Sequence, residues 1–285
     1  MSSILELEDV TKRFTNSSFA LKGISFSIPY GSIVGFIGEN GAGKTTTMGT
    51  IIGTLKKDDG VIRMLGKEVD RDQVAAKEDL GVVFDNMNFS KNLNAVQLGH
   101  VLSHIYQRWD ASQYRGYLER FRLPTDKNIE HFSRGMSMKL SLAVALSHEA
   151  KVFILDEATA GLDPVGREEI LEVLLDVVKD KDRGVLMSSH ITSDIEKVAD
   201  RLIFIKNGEI LLNVSKDSLV SDYAILTCTP EEYQSVPQEI VAAYRKKDDG
   251  IDVLVTPIDT LPATFNRRPF SVDEVTLLLM RGETK

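Results

Sequence analysis

The chain has 285 residues, 42% of them hydrophobic and 27% charged, and carries a formal net charge of −8. That length and apolar content suit a main domain with a small appendage, and the acidic balance excludes a nucleic-acid binder held by a broad basic surface. The lone cysteine, Cys228, excludes an internal disulfide, no apolar run reaches the ~20 residues that span a bilayer, and the start Met1-Ser2-Ser3-Ile4 is no secretory leader; a cytosolic protein is expected.

Residues Ile4 to Val10 and Leu21 to Ile28 alternate apolar and polar side chains, as half-buried strands do. Pro29-Tyr30-Gly31 makes a turn, and Ile33 to Ile37 reads as a fully buried strand that runs into a glycine-rich loop and a helix from about Lys44. Gly60 to Leu65 and Leu80 to Phe84 predict two more strands. From Asn94 the period becomes helical: Leu98, Val101, Leu102, Ile105 and Trp109 share one face, Tyr114, Tyr117, Leu118 and Phe121 another, and Met138 to Leu146 forms a third helix. This block separates two groups of strands and reads as an inserted subdomain, over about residues 87–147. Val152 to Leu155 and Val185 to Ser188 are buried parallel strands with a helix, Arg167 to Val178, between them. Asn207-Gly208 marks a hairpin between Leu202–Lys206 and Glu209–Val214. Beyond about Ser215 the chain changes character, with strands at Ala224–Cys228 and Ile251–Thr256 and helix starts at Thr229-Pro230-Glu231-Glu232 and Ser271-Val272-Asp273-Glu274.

Gly38-Glu39-Asn40-Gly41-Ala42-Gly43-Lys44-Thr45, followed by Thr46, fits G-x-x-x-x-G-K-[ST] between a strand and a helix. The glycines let successive N–H groups turn inward on phosphate oxygens, and the helix dipole favours the same anion. Lys44 reaches the outer phosphates and Thr45 offers a hydroxyl to Mg²⁺. Val152 to Leu155 ends in Asp156-Glu157. Asp156 is expected to hold Mg²⁺ and Glu157 to act as general base on the attacking water. In isolation such an acidic pair is a solvated strand end; beside a phosphate loop it is a catalytic candidate.

With these residues in place the sequence resembles the nucleotide-binding subunits of ABC transporters, over roughly Ile4 to Ser215. Phe132-Ser133-Arg134-Gly135-Met136 stands where that family has L-S-G-G-Q: Ser133 and Gly135 match, while Phe132, Arg134 and Met136 depart. The S-R-G-M form looks like the ABC-2-type export subfamily. Ala160-Gly161-Leu162-Asp163-Pro164 resembles the D-loop and Ser188-Ser189-His190 the switch-histidine segment. His100, His104, His131 and His148 lack such context and read as structural. Phe14 matches the aromatic that stacks on adenine, with Phe19 as a competitor. Asp85 stands where the family has a metal-sensing glutamine.

The resemblance implies an α/β fold, a RecA-like P-loop NTPase core with an antiparallel β subdomain, the inserted helical subdomain and a small C-terminal α+β appendage, divided as 1–215 and 216–285. It implies catalytic roles for Lys44, Glu157 and His190, nucleotide contacts from Phe14, Ser133, Gly135 and Asp163, and metal contacts from Thr45, Asp156 and Asp85. ATP and Mg²⁺ are the implied cofactors. Implied partners are a second copy or paralogue in a head-to-tail dimer and an integral membrane permease touching the surface around Asp85 to Leu102, which places the chain on the inner face of the cell membrane. A soluble ABC-type ATPase for protein remodelling or cluster assembly, and a nucleotide sensor that hydrolyses poorly, are the competing readings.

Overall fold

A computed structural model describes residues 2–69, 77–84, 89–261, 265 and 268–284. Strands β1 (Ser3–Arg13) and β2 (Ala20–Pro29) pair antiparallel, and β4 (Asp59–Met64) and β5 (Lys67–Glu68) extend them in the order β2-β1-β4-β5. A second sheet is built from β3 (Ser32–Ile37), β6 (Leu80–Val83), β7 (Val152–Leu155), β8 (Gly184–Ser188), β9 (Arg201–Lys206) and β10 (Glu209–Ser215). Its order is β10-β9-β3-β8-β7-β6; every pairing is parallel except that of β10 with β9.

Every residue of β3, β7 and β8 is buried, as expected of parallel strands covered on both faces. Their alternating side chains feed two cores. Ile33 and Ile37 of β3 and Phe153 and Leu155 of β7 face the helices. Val34, Phe36, Val152 and Ile154 face the antiparallel sheet.

The inserted helices are α2 (Ala95–Leu102), α3 (Ala111–Arg120) and α4 (Arg134–Leu146). The apolar face predicted to run on to Ile105 and Trp109 does not continue as helix. The first helix stops at Leu102, and Val101 and Ile105 are 44% and 62% exposed while Leu98 and Leu102 are buried. Beyond the helix, Tyr106 stacks on buried His148 with centroids 4.1 Å apart, and Trp109 packs 5.0 Å from Tyr114. Aromatic burial of this kind outweighs one more turn of exposed helix. His148 sits between the carbonyls of Val144 and Leu80 at 3.1 and 3.0 Å, a structural role as expected.

Helix α5 (Pro164–Lys179) connects β7 to β8, and α6 (Thr192–Val198) connects β8 to β9. Asn207 and Gly208 have φ of 49° and 77°, the double left-handed turn that their sequence predicts.

Helix α7 (Lys216–Asp222) leads to a third, antiparallel sheet: β11 (Ala224–Cys228), β12 (Val241–Lys247), β13 (Gly250–Val255) and β14 (Glu283–Thr284), in the order β11-β13-β12-β14. Helices α8 (Pro230–Gln234) and α9 (Val272–Arg281) start with full capping boxes, Thr229 with Glu232 and Ser271 with Glu274. Strand β12 is not legible in the sequence, because its charged end, Arg245-Lys246-Lys247, hides the alternation begun by Val241 and Ala243. This sheet has its own core around Leu226, Val253 and Val255. Val275, Leu278 and Leu279 of α9 instead join the core of the six-stranded sheet. Among the described residues no helix is long and apolar enough to cross a membrane.

Candidate functional site

The phosphate loop lies between β3 and α1 (Lys44–Ile51). Gly43 precedes the helix at φ 119°, a backbone conformation that residues with a side chain rarely adopt. No side chain caps the helix start, which leaves its first N–H groups facing the cleft as an anion site. Lys44 is buried; its Nζ donates to the carbonyls of Gly38 at 2.6 Å and Glu39 at 3.2 Å. Burial pulls its pKa below the ordinary 10.5, and the charges of Glu157 and Asp156 oppose that shift.

The tips of β7 and β8 supply the opposite wall. Thr45 Oγ1 donates to Asp156 Oδ2 at 2.8 Å, and the buried Ser188 hydroxyl donates to Asp156 Oδ1 at 2.7 Å. Ser188 Oγ also accepts the Glu157 N–H at 3.1 Å. On a straight strand Asp156 and Glu157 would point to opposite faces. Glu157 has φ 57°, a left-handed conformation that turns its carboxylate into the same cleft. The backbone N–H of His190 donates to Glu157 Oε2 at 3.0 Å. The other oxygen, Oε1, is buried and has no hydrogen-bond partner among the described residues; the His190 ring Nε2 stands 3.3 Å from it.

Asn40, Lys44, Thr45, Asp156, Glu157 and His190 thus line one cleft. Phe19 lines it beside the phosphate loop; the Phe14 ring centroid is 6.4 Å from that of Phe19 and 5.7 Å from Lys12 Nζ. Sequence position favours Phe14, whereas tertiary placement favours its competitor. Asp85 lies outside the described residues.

Ser133 caps α4, accepting the Met136 N–H at 3.2 Å, and Asp163 caps α5, accepting the Gly166 N–H at 2.8 Å. The two helix starts touch. A Cβ on Gly135 would lie 3.0 Å from Leu162 Cδ2, and one on Gly161 would lie 2.9 Å from Arg134 Cδ. Arg134 also reaches the cleft, on the side of Phe84 and Ala160.

Ser188 and Gly208 escaped the sequence reading as site residues. Gly208 donates its N–H to the Ala42 carbonyl at 2.9 Å and so supports the phosphate loop from behind. Only the hairpin signal at Gly208 was visible, and nothing local tied it to residue 42.

The bacitracin transport ATP-binding protein BcrA of Bacillus licheniformis is 32% identical over 221 residues, 77% of this chain and 72% of that protein. The pattern of the family described as ABC transporter matches residues 21–160. The chain belongs to the ABC transporter family. It is an ATP-binding subunit of that family and an ATPase. The linearmycin resistance ATP-binding protein LnrL of Bacillus subtilis is 31% identical over 262 residues, 90% of this chain and 83% of that one. A solved ATP-binding subunit of an ABC transporter superposes with a TM-score of 0.70 at 26% identity, covering 76% of this chain and 92% of the other. Together with the sheets described above, these place the ABC subunit on the expected α/β P-loop NTPase fold.

Proposed function

We propose that this ABC subunit hydrolyses ATP as a head-to-tail dimer on the cytoplasmic face of a membrane, driving export through a separate permease. The observation that carries the chemistry is the convergence of Lys44, Asp156 and Glu157 on one cleft, where Glu157 Oε1 has no hydrogen-bond partner among the described residues. Export is supported by similarity to subunits named for bacitracin transport and linearmycin resistance, and by the S-R-G-M form of the signature.

In this reading the first turn of α1 and Lys44 hold the phosphates, and Phe19 or Phe14 packs on the base. Glu157 Oε1 takes a proton from the attacking water, and His190 keeps the carboxylate turned inward. The Thr45 hydroxyl and Asp156 carboxylate form an all-oxygen set 2.8 Å apart, which fits Mg²⁺. That ion, when bound, neutralises charge on the transferring phosphate. Ser133 and Gly135, at the start of α4, would close the site of the opposite subunit, with Asp163 at the seam. Asp85 would approach the metal. Residues 1–215 would then be the ATPase domain and 216–285 an accessory domain.

The test pairs Glu157→Gln with Ser133→Ala in full-length protein. ATP with Mg²⁺ should drive Glu157→Gln into a dimer on size exclusion, and adding Ser133→Ala should abolish the dimer while the monomer keeps its ATP affinity. Loss of both at once would remove Ser133 from the opposite site. Co-purification of a membrane protein tests the permease, and its failure would favour a soluble ABC-type ATPase.

A further inference from the structure

The last helix, α9, reaches Glu39 of the phosphate loop and Thr192, two residues beyond the cleft-lining His190. Near its start Asp273 Oδ1 accepts a hydrogen bond from Thr192 Oγ1 at 3.0 Å, and Thr192 opens α6 two residues after His190. At its end Arg281 Nε stands 3.9 Å from Oε1 of Glu39 in the phosphate loop. Between them Lys206 Nζ, at the end of β9, donates to the Leu279 carbonyl at 3.3 Å. Asp273 and Arg281 are eight residues apart, about 12 Å of helix.

The helix is fixed on both sides. Val275, Leu278 and Leu279 are buried in the same core as Ile195 of α6 and Phe204 of β9. A Cβ on Gly282 would lie 2.5 Å from the Tyr244 carbonyl, so the end of α9 is pressed against β12. The exposed Arg281–Glu39 pair adds little energy at that distance. The exposed Thr192–Asp273 bond lies two residues along the chain from His190, whose N–H donates to Glu157 Oε2 and whose ring stands beside Oε1.

We infer that α9 is a brace for the catalytic site, and that Asp273, acting through Thr192, is a positioning residue for His190 and hence for Glu157. This rests on the reading of Glu157 as the base. The phosphates are gripped by the other wall of the cleft, so loosening α6 changes the turnover step rather than ATP binding. The C-terminal accessory domain, of which α9 is part, thereby gains a route to the hydrolysis rate.

Steady-state ATP hydrolysis by full-length protein tests this. Thr192→Val should lower kcat about 3- to 10-fold, the effect of one lost hydrogen bond, with KM for ATP unchanged. Thr192→Ser keeps the hydroxyl and should keep kcat, which separates the bond from any general disturbance of α6. Asp273→Ala should lower kcat likewise, and the double variant Thr192→Val with Asp273→Ala should be no worse than the poorer single one. Wild-type kcat in Thr192→Val, equal damage from Ser and Val, or multiplying losses would each overturn the brace. Glu157→Gln run alongside separates the two ideas: persistent hydrolysis there defeats the base assignment, whereas lost hydrolysis with an unaffected Thr192→Val defeats the brace alone.

Discussion

His190 grips Glu157 by its backbone, N–H to Oε2 at 3.0 Å, while its ring Nε2 stands 3.3 Å from Oε1. One carboxylate oxygen is therefore anchored, and the other is buried with no hydrogen-bond partner among the described residues. The left-handed backbone at Glu157 costs on the order of 1–3 kcal/mol and persists because Ser188 and His190 hold the turn from both sides.

From this geometry Glu157→Gln keeps the shape and removes the basic oxygen. Hydrolysis should fall by about 10²- to 10⁴-fold, the usual worth of a general base, with ATP binding intact. Unchanged turnover in a phosphate-release assay would take the base role away from Glu157.

Lys44→Ala removes a buried cation whose hydrogen bonds to phosphate are each worth about 1.5–3 kcal/mol, so the Kd for ATP should rise roughly 10- to 150-fold by calorimetry. The lowered pKa of Lys44 adds a pH dependence. ATP affinity of the native protein should begin to weaken at a pH below the ordinary lysine value of 10.5, as the ammonium is lost. In the nucleotide-free protein the unfolded chain holds this proton more tightly than the fold does. The contribution of Lys44 to stability therefore rises with pH between its lowered pKa and 10.5. Affinity that holds level up to pH 10.5 would contradict the buried-lysine reading.

Ser188→Ala should act on two neighbouring acidic residues at once, through the carboxylate of one and the backbone of the other. It strands Asp156 Oδ1 and the Glu157 N–H, each bonded to Ser188 Oγ within 3.1 Å. Unfolding free energy should drop by about 1–3 kcal/mol, and kcat should drop further than the Kd for ATP rises. Denaturant titration together with turnover measures both, and a silent variant would show that the contact is incidental.

Gly208→Ala probes the support behind the phosphate loop. Its Cβ would stand 1.8 Å from the Ala20 carbonyl, at a φ of 77°. A loss of stability of about 2 kcal/mol or more is expected from strain alone. ATP affinity should weaken as well, because the Gly208 N–H bond to Ala42 shifts with the hairpin. A thermal melt indistinguishable from wild type would place the hairpin tip elsewhere.

Local spacing determined much of this protein. A strand, a glycine-rich turn and a lysine at the head of a helix form an anion site from consecutive residues, and an apolar run ending in two acids announces the strand whose tip faces it. The hairpin at Asn207-Gly208 and the capping boxes at Thr229 and Ser271 are equally local, and each formed where its residue types predict. Tertiary structure alone decided the rest. It brought Phe19 rather than Phe14 to the cleft, ended α2 at Leu102, turned Glu157 inward on Ser188, set Gly208 under Ala42 and laid α9 across Thr192 and Glu39. These contacts join residues far apart in the chain, and each depends on how two buried faces meet. Helical and strand periods report which side of an element is apolar, but not what it packs against.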